Sequence, residues 1–203
     1  MKIICIGRNF VDHAKELNNP VPKNPMIFMK PATALLIDNK PFYYPSFSNN
    51  IHYEVEILVK ISKNGKHIEP TFAEQYYEEI GLGIDFTARD LQDDLKSKGH
   101  PWEIAKAFDH SAVVSHFIKV NDLENRANIN FQLYQNEILV QNGYSKDMIF
   151  SINELIVYIS KYFTLQKGDI IFTGTPAGVG KIEIGDHFKG LIESKEMFTC
   201  LIK

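Results

Sequence analysis

Apolar residues occupy every second position in NNIHYEVEILVKI, residues 49–61, so that Ile51, Tyr53, Val55, Ile57 and Val59 share one side of an extended chain. That period predicts a β-strand whose other face carries His52, Glu54 and Glu56. Like charges at i and i+2 on a strand lie about 7 Å apart and repel unless something positive lies between them. A solvated face, or lysines on a neighbouring strand, is the ordinary explanation of such a pair. The rest of the chain decides whether it applies here.

The same kind of pattern divides the remainder. KIICIG reads as a short buried strand, and NFVDHAKEL as a short helix with Asn9 as its cap. NNPVPKNP, rich in proline, is a loop; MIFMKPATALLI and KPFYYP are strand pieces broken by prolines. PTFAEQYYEEI opens with Thr71 and Glu74, a capping box that predicts a helix. GLGIDF is a short strand ending near a carboxylate. TARDLQDDLKSKG is a helix with Thr87 as cap and Gly99 just past its end. SAVVSHFIKV, INFQLYQN and EILVQNGYS suggest a β-meander. SINELIVYISKYF is an amphipathic helix with a second capping box, Ser151 and Glu154. KGDIIFTGTP runs from a strand into a glycine-rich loop, and DHFKGLIE and MFTCLIK end the chain as strands. Strands come in runs and outnumber helices, which predicts an α+β fold, mostly β, rather than a wound α/β sheet.

Composition narrows the field. A chain of 203 residues with 44% hydrophobic and 23% charged residues is expected to form one domain, residues 1–203, with a full core. A net charge of −3 with no basic run gives no case for nucleic acid or an anionic membrane. The apolar run at the N-terminus is broken by Gly7 and Arg8, too early for a signal peptide, and no stretch approaches the ~20 apolar residues of a membrane span. Cys5 and Cys200 read as two buried free thiols. A soluble, cytoplasmic protein is expected.

Candidate chemistry centres on carboxylates. Asp85 ends a buried apolar run and needs a partner, because an unpaired buried carboxylate is costly. With Glu54 and Glu56 it makes three hard oxygen donors, a set suited to Mg²⁺, Mn²⁺ or Ca²⁺ rather than Zn²⁺. Capping of the following helix is the competing role for Asp85. His13 and Glu16, spaced i and i+3, share a helix face, the arrangement of a general base and its orienting carboxylate; chance pairs of this kind are common. His52 is expected to be solvated, and Trp102 to pack. Lys106 lies in a mostly apolar run, where it would either hold an enolate or substrate carboxylate or snorkel to solvent. FTGTPAGVGK is not a Walker loop, since Thr175 and Ile182 stand where that pattern needs glycine and Ser/Thr; its N–H groups and Thr175 are suited to a small anion.

In their order along the chain, CIGRNFVDHAKEL, PMIFMKPATAL, IHYEVEI, GIDFTARDLQ, PWEIAKAFD, MIFSINELIVYIS and GDIIFTGTPAGVG resemble the fumarylacetoacetate hydrolase family, over nearly the whole chain. The small, single-domain acylpyruvase and oxaloacetate-acting members are the nearest in pattern. The resemblance implies packed β-layers with a β-grasp-like portion, a homodimer, and Mg²⁺ or Mn²⁺ on Glu54, Glu56 and Asp85. It implies that His13 and Glu16 form a dyad on a mobile lid, within residues 1–20. It also implies that Lys106, Gln92 and Arg89 face the substrate and that Thr175 lies near its carboxylate. Phe10 replaces the tyrosine common after GRN, Ala107 replaces a serine, and HSAVVSHF lacks a proline usual there.

The function implied is metal-assisted hydrolysis of a C–C bond in an acylpyruvate-type 2,4-dioxo acid, giving pyruvate and a carboxylic acid. Oxaloacetate decarboxylation or keto–enol tautomerisation on the same site is the near alternative, and a non-catalytic 2-oxo acid binding protein the distant one.

Overall fold

The computed structural model describes residues 1–16 and 20–203. In chain order the strands are β1 (Ile3–Gly7), β2 (Met26–Lys30), β3 (Leu35–Leu36), β4 (Ile51–Tyr53), β5 (Val55–Ile61), β6 (Tyr77–Asp85), β7 (Thr87–Ala88), β8 (Ala112–Val114), β9 (Ile118–Lys119), β10 (Asn130–Gln135), β11 (Ile138–Tyr144), β12 (Ile170–Phe172), β13 (Gly180–Lys181), β14 (His187–Ile192) and β15 (Lys195–Leu201). The α-helices are α1 (Val11–Glu16), α2 (Arg89–Lys98), α3 (Glu103–Lys106) and α4 (Ile152–Tyr162). A large mixed sheet runs β2-β1-β12-β5-β6-β8-β3, with β9 beside β6; β11-β10-β14-β15 make a second sheet and β13-β4-β7 a small third. This is the mostly β, layered architecture the sequence predicts.

Both faces of the large sheet are covered, which is why its strands are apolar throughout. Ile57, Leu82 and Ile84 pack on Phe131, Leu133, Phe188 and Phe198 of the second sheet. Ile4, Ile6, Val59 and Ile61 pack on Leu155, Ile156 and Ile159 of α4. The opposite face buries Ile3, Cys5, Leu58 and Phe172. Cys5 and Cys200 are buried and unpaired, as expected.

Several local expectations change. Residues 51–61 are not one strand: β4 pairs with β7 and β13, and β5 pairs with β6 and β12, with the step at Glu54. The partner strand steps too, between β6 and β7, and Asp85 N–H donates to Glu54 C=O at 2.8 Å across the step. The Thr71 capping box does not form. Pro70–Tyr76 is a 3₁₀ turn with no side-chain cap, and Tyr77, Glu78 and Glu79 after it begin β6. Here sheet pairing, Tyr77 opposite Ile61, overrides a local helix signal. The meander is broken as well, because β8 and β9 join the large sheet while β10 and β11 pair in the second. Ser151 and Glu154 do form both halves of their capping box.

Of the segment expected as a lid, Ile3–Gly7 is a strand inside the large sheet, so only α1 stands over the site; residues 17–19 lie outside the described residues. Among the described residues no helix is long and apolar enough to cross a membrane.

Candidate metal centre

The paired step from the large sheet to the small one brings the carboxylates together. Glu54 sits at the step and Glu56 two residues on in β5, with Asp85 at the end of β6. All three are buried, and one oxygen of each lies within 4.8 Å of the others. Asp85 does not cap α2. Its Oδ2 accepts from Lys106 Nζ at 2.8 Å, and its Oδ1 faces Lys30 Nζ at 2.8 Å. Glu54 accepts from Arg89 Nη2 at 2.6 Å and from Lys106 Nζ at 2.8 Å.

Glu56 differs from the other two. Its hydrogen bond is from Gly174 N–H at 2.6 Å, and it has no cationic partner among the described residues. Burial, with Asp85 and Glu54 beside it, pushes its carboxyl well above the ordinary value. Burial acts on Glu54 in the same direction, but Lys106 and Arg89 outweigh it and hold that carboxyl well below the ordinary value. Three converging buried carboxylates, one lacking a counter-charge, are a donor set that fits a divalent cation.

Lys106 is on the short helix α3 rather than a strand edge, and it is fully enclosed. Its ammonium uses all three donors, on Glu54, Asp85 and, at 2.6 Å, Thr87 Oγ1. Burial alone would lower its pKa, but Asp85 and Glu54 raise it, so it stays charged. Thr87, engaged in this way, does not cap α2; the cap position is Ala88, with no side-chain bond. Gly99 does close the helix, in the left-handed conformation at φ 66°. One turn along α2, Gln92 accepts from Arg89 Nη1 at 2.6 Å.

His13 and Glu16 are joined, Nδ1 to Oε2 at 3.4 Å, and His13 is buried. Burial lowers its pKa, against the pull of Glu54 and Glu16, so the imidazole is neutral near pH 7. The glycine-rich loop turns its N–H groups on the chain's own carboxylates: Gly174 on Glu56, and Gly178 on both oxygens of Glu16 at 3.1 and 3.3 Å. Thr175 Oγ1 accepts from Gln141 Nε2 at 2.9 Å. His13, the three carboxylates, Arg89, Gln92, Lys106 and Thr175 line one cleft. Glu16 reaches it only through His13.

His52 lies outside that cleft. It is half-buried against Asn50, and burial takes its pKa down to about 4.

Sequence reasoning overlooked Lys30 and gave Asn9 the wrong role. Lys30, the one charge in the strand MIFMK, is buried; it donates to Ser111 Oγ at 2.9 Å and to the Lys106 carbonyl. Its isolation within an apolar strand was the available signal. Asn9 does not cap α1. Its Nδ2 donates to Phe150 O at 3.0 Å and Thr173 O at 2.7 Å, and its Oδ1 accepts from Phe150 N at 2.8 Å. Gly174, at φ 99°, approaches so closely that a Cβ there would fall 2.6 Å from Asn9 Cβ. The turn after β1 is thus fastened to the loop that touches Glu56.

Comparison with known proteins identifies relatives over nearly the whole chain. The profile described as fumarylacetoacetate (FAA) hydrolase C-terminal matches residues 2–201. A mitochondrial oxaloacetate tautomerase of Bos taurus is 40% identical over 187 residues, 92% of this chain and 85% of that protein. An oxaloacetate tautomerase of Escherichia coli (strain K12) is 37% identical over 202 residues, 99% of this chain and 92% of the other. The crystal structure of fumarylpyruvate hydrolase from Pseudomonas aeruginosa, in complex with Mn²⁺ and pyruvate, superposes with a TM-score of 0.94 at 33% identity, covering 100% of this chain and 89% of that one.

Proposed function

Because this chain belongs to the fumarylacetoacetate hydrolase family, whose members act on keto acids, we propose that it is a divalent-metal-dependent enzyme that interconverts the keto and enol forms of oxaloacetate. The observation that carries the proposal is the placing of a neutral, buried His13, oriented by Glu16, in the same cleft as three buried carboxylates and Lys106.

Glu54, Glu56 and Asp85 hold Mg²⁺ or Mn²⁺, which when bound supplies Lewis-acid polarisation of the 2-oxo group. Glu16 accepts a hydrogen bond from Nδ1–H of His13, which keeps the proton there and leaves Nε2 with its lone pair. His13 takes a proton from the carbon beside the keto group and returns it to the enolate oxygen, with no net change in composition. Lys106 and Arg89 provide fixed positive charge where that oxygen becomes negative. Gln92, held by Arg89, and Thr175, held by Gln141, present polar groups to the substrate carboxylate.

A second reading, hydrolysis of an acylpyruvate, draws support from Glu16. Two N–H contacts from Gly178 fix its carboxylate, as a base pair that activates water requires.

The test is a side-by-side assay of oxaloacetate and acetylpyruvate with Mg²⁺, with and without chelator. Chelator-sensitive decay of enol-oxaloacetate alone supports the tautomerase. Cleavage of acetylpyruvate moves the protein to the hydrolases. No metal-dependent turnover of either overturns both readings and leaves a 2-oxo acid binding protein.

A further inference from the structure

Two cations in the cleft are not committed to its carboxylates. Lys30, Arg89 and Lys106 are committed to Asp85 and Glu54 and are buried. Arg8 and Lys96 line the same cleft but are only half-buried, so they stand nearer its mouth. Arg8 has no ion pair among the described residues. Lys96 has a loose one, 4.0 Å from Asp93, whose own side chain is 68% exposed; such pairs contribute little. Lys96 reaches the cleft along Trp102, with Nζ 5.6 Å from the ring centroid. That gives Trp102 a role as a wall beside the ammonium.

The backbone at Arg8 is strained. Its φ is 60°, a region that a residue with a Cβ enters at a cost of about 1–2 kcal/mol. The conformation is held by Asn9, through its three hydrogen bonds to Phe150 and Thr173. Strain held by a dedicated clamp, on an arginine that lines the cleft, suggests that the guanidinium is wanted there.

Charge points the same way. Three carboxylates in the cleft face three buried cations, so a bound divalent ion leaves an excess of positive charge, to which Arg8 and Lys96 add. Burial lowers the pKa of both residues, and their neighbours' positive charge lowers that of Lys96 further. Asp93 and Glu54 offset this only in part, and like cations gathered at a cleft mouth with so little opposing charge call for an anion.

We propose that Arg8 and Lys96 form a subsite at the mouth of the cleft for a second carboxylate on the substrate, making the enzyme selective for dianionic 2-oxo dicarboxylates over monoanionic 2-oxo acids. This rests on the 2-oxo acid reading above and adds the residues that read the distal group.

Wild type, Lys96→Met and Arg8→Gln/Lys96→Met are compared with Mg²⁺ bound. Turnover is measured on oxaloacetate, a dianion, and acetylpyruvate, a monoanion. Binding of ketomalonate, an unreactive dianion, and of pyruvate is measured by calorimetry. The ratio of ketomalonate to pyruvate affinity is expected to fall at least tenfold, kcat/KM on oxaloacetate is expected to fall with it through KM more than kcat, and Lys96→Arg is expected to keep most of both. The single Lys96→Met variant leaves the strained turn untouched, and Mg²⁺ affinity reports whether each variant is folded. Equal losses on both charge classes, or loss of the ratio in Lys96→Arg, overturns the subsite. If wild type turns over neither substrate, the reaction reading fails separately. The subsite then stands on a tenfold selective loss of ketomalonate binding, and falls without one.

Discussion

The most informative residue is Glu56, a buried carboxyl beside two others and without a cation of its own. Its pKa is raised in the folded protein, so without metal it contributes stability in full only below the ordinary value of 4.5, and that contribution is lost as pH rises through the raised value. Glu56→Gln, neutral at every pH, is therefore expected to remove the loss of metal-free stability that the wild type suffers as pH rises through the raised value, while abolishing metal binding. Calorimetry with and without Mn²⁺ checks both halves. His13 gives the matching kinetic expectation. Its lowered pKa puts the acid limb of the kcat/KM profile below the ordinary 6.5. His13→Ala should cost about 10²–10⁴-fold in turnover with metal affinity retained; an unchanged rate would show that another group is the base. Glu54, Glu56 and Asp85 could be singled out by residue type and strand pattern, but spacing alone favoured a solvated face, and only the family resemblance joined them into one site. The roles of Lys30 and Asn9 were not legible, because their partners lie far off in sequence: Lys30 bonds Ser111 and Lys106, and Asn9 bonds Phe150 and Thr173.

At the level of elements, short-range signals held where nothing distant competed. Ser151 and Glu154 close their capping box because α4 lies against the sheet without pairing to it. Thr71 and Glu74 offer an equivalent hydroxyl and carboxylate, yet the chain beyond them is captured by β5. Alternation correctly identified residues 51–61 as extended but could not show the step at Glu54, since moving between sheets leaves the period of two intact. That step, shared with the junction of β6 and β7, is what gathers the carboxylates. The Asn9 clamp ties the turn between β1 and α1 to the loop after β12. Asn9→Ala leaves buried backbone groups of Phe150 and Thr173 unpaired, so a loss of about 1–3 kcal/mol is expected by urea unfolding. Turnover should fall further than this loss explains, because His13 and Gly174 lose their common anchor.

For the molecule as a whole, the cation and the fold are linked. A ligand that binds only the folded chain stabilises it by about 2.7 kcal/mol at a hundred times its Kd. For a chain of 203 residues, saturating Mn²⁺ should raise Tm by roughly 5–11 °C, and chelator should reverse the rise. No shift in a thermal scan would mean that the carboxylate triad does not hold the ion.

The parallel pairing of β1 with β12 has a consequence for how the protein is made. Lys2 and Asp169, bonded at the end of that pair, are 167 positions apart. On the ribosome β1 must wait, beside β2 alone, until β12 has emerged far behind it. Glu54, Glu56 and Asp85 are all delivered well before β12, on strands that pair directly with each other. A nascent chain can therefore assemble its cation ligands early. His13 and Glu16 gain the glycine-rich loop, and with it a working site, only when the last third arrives.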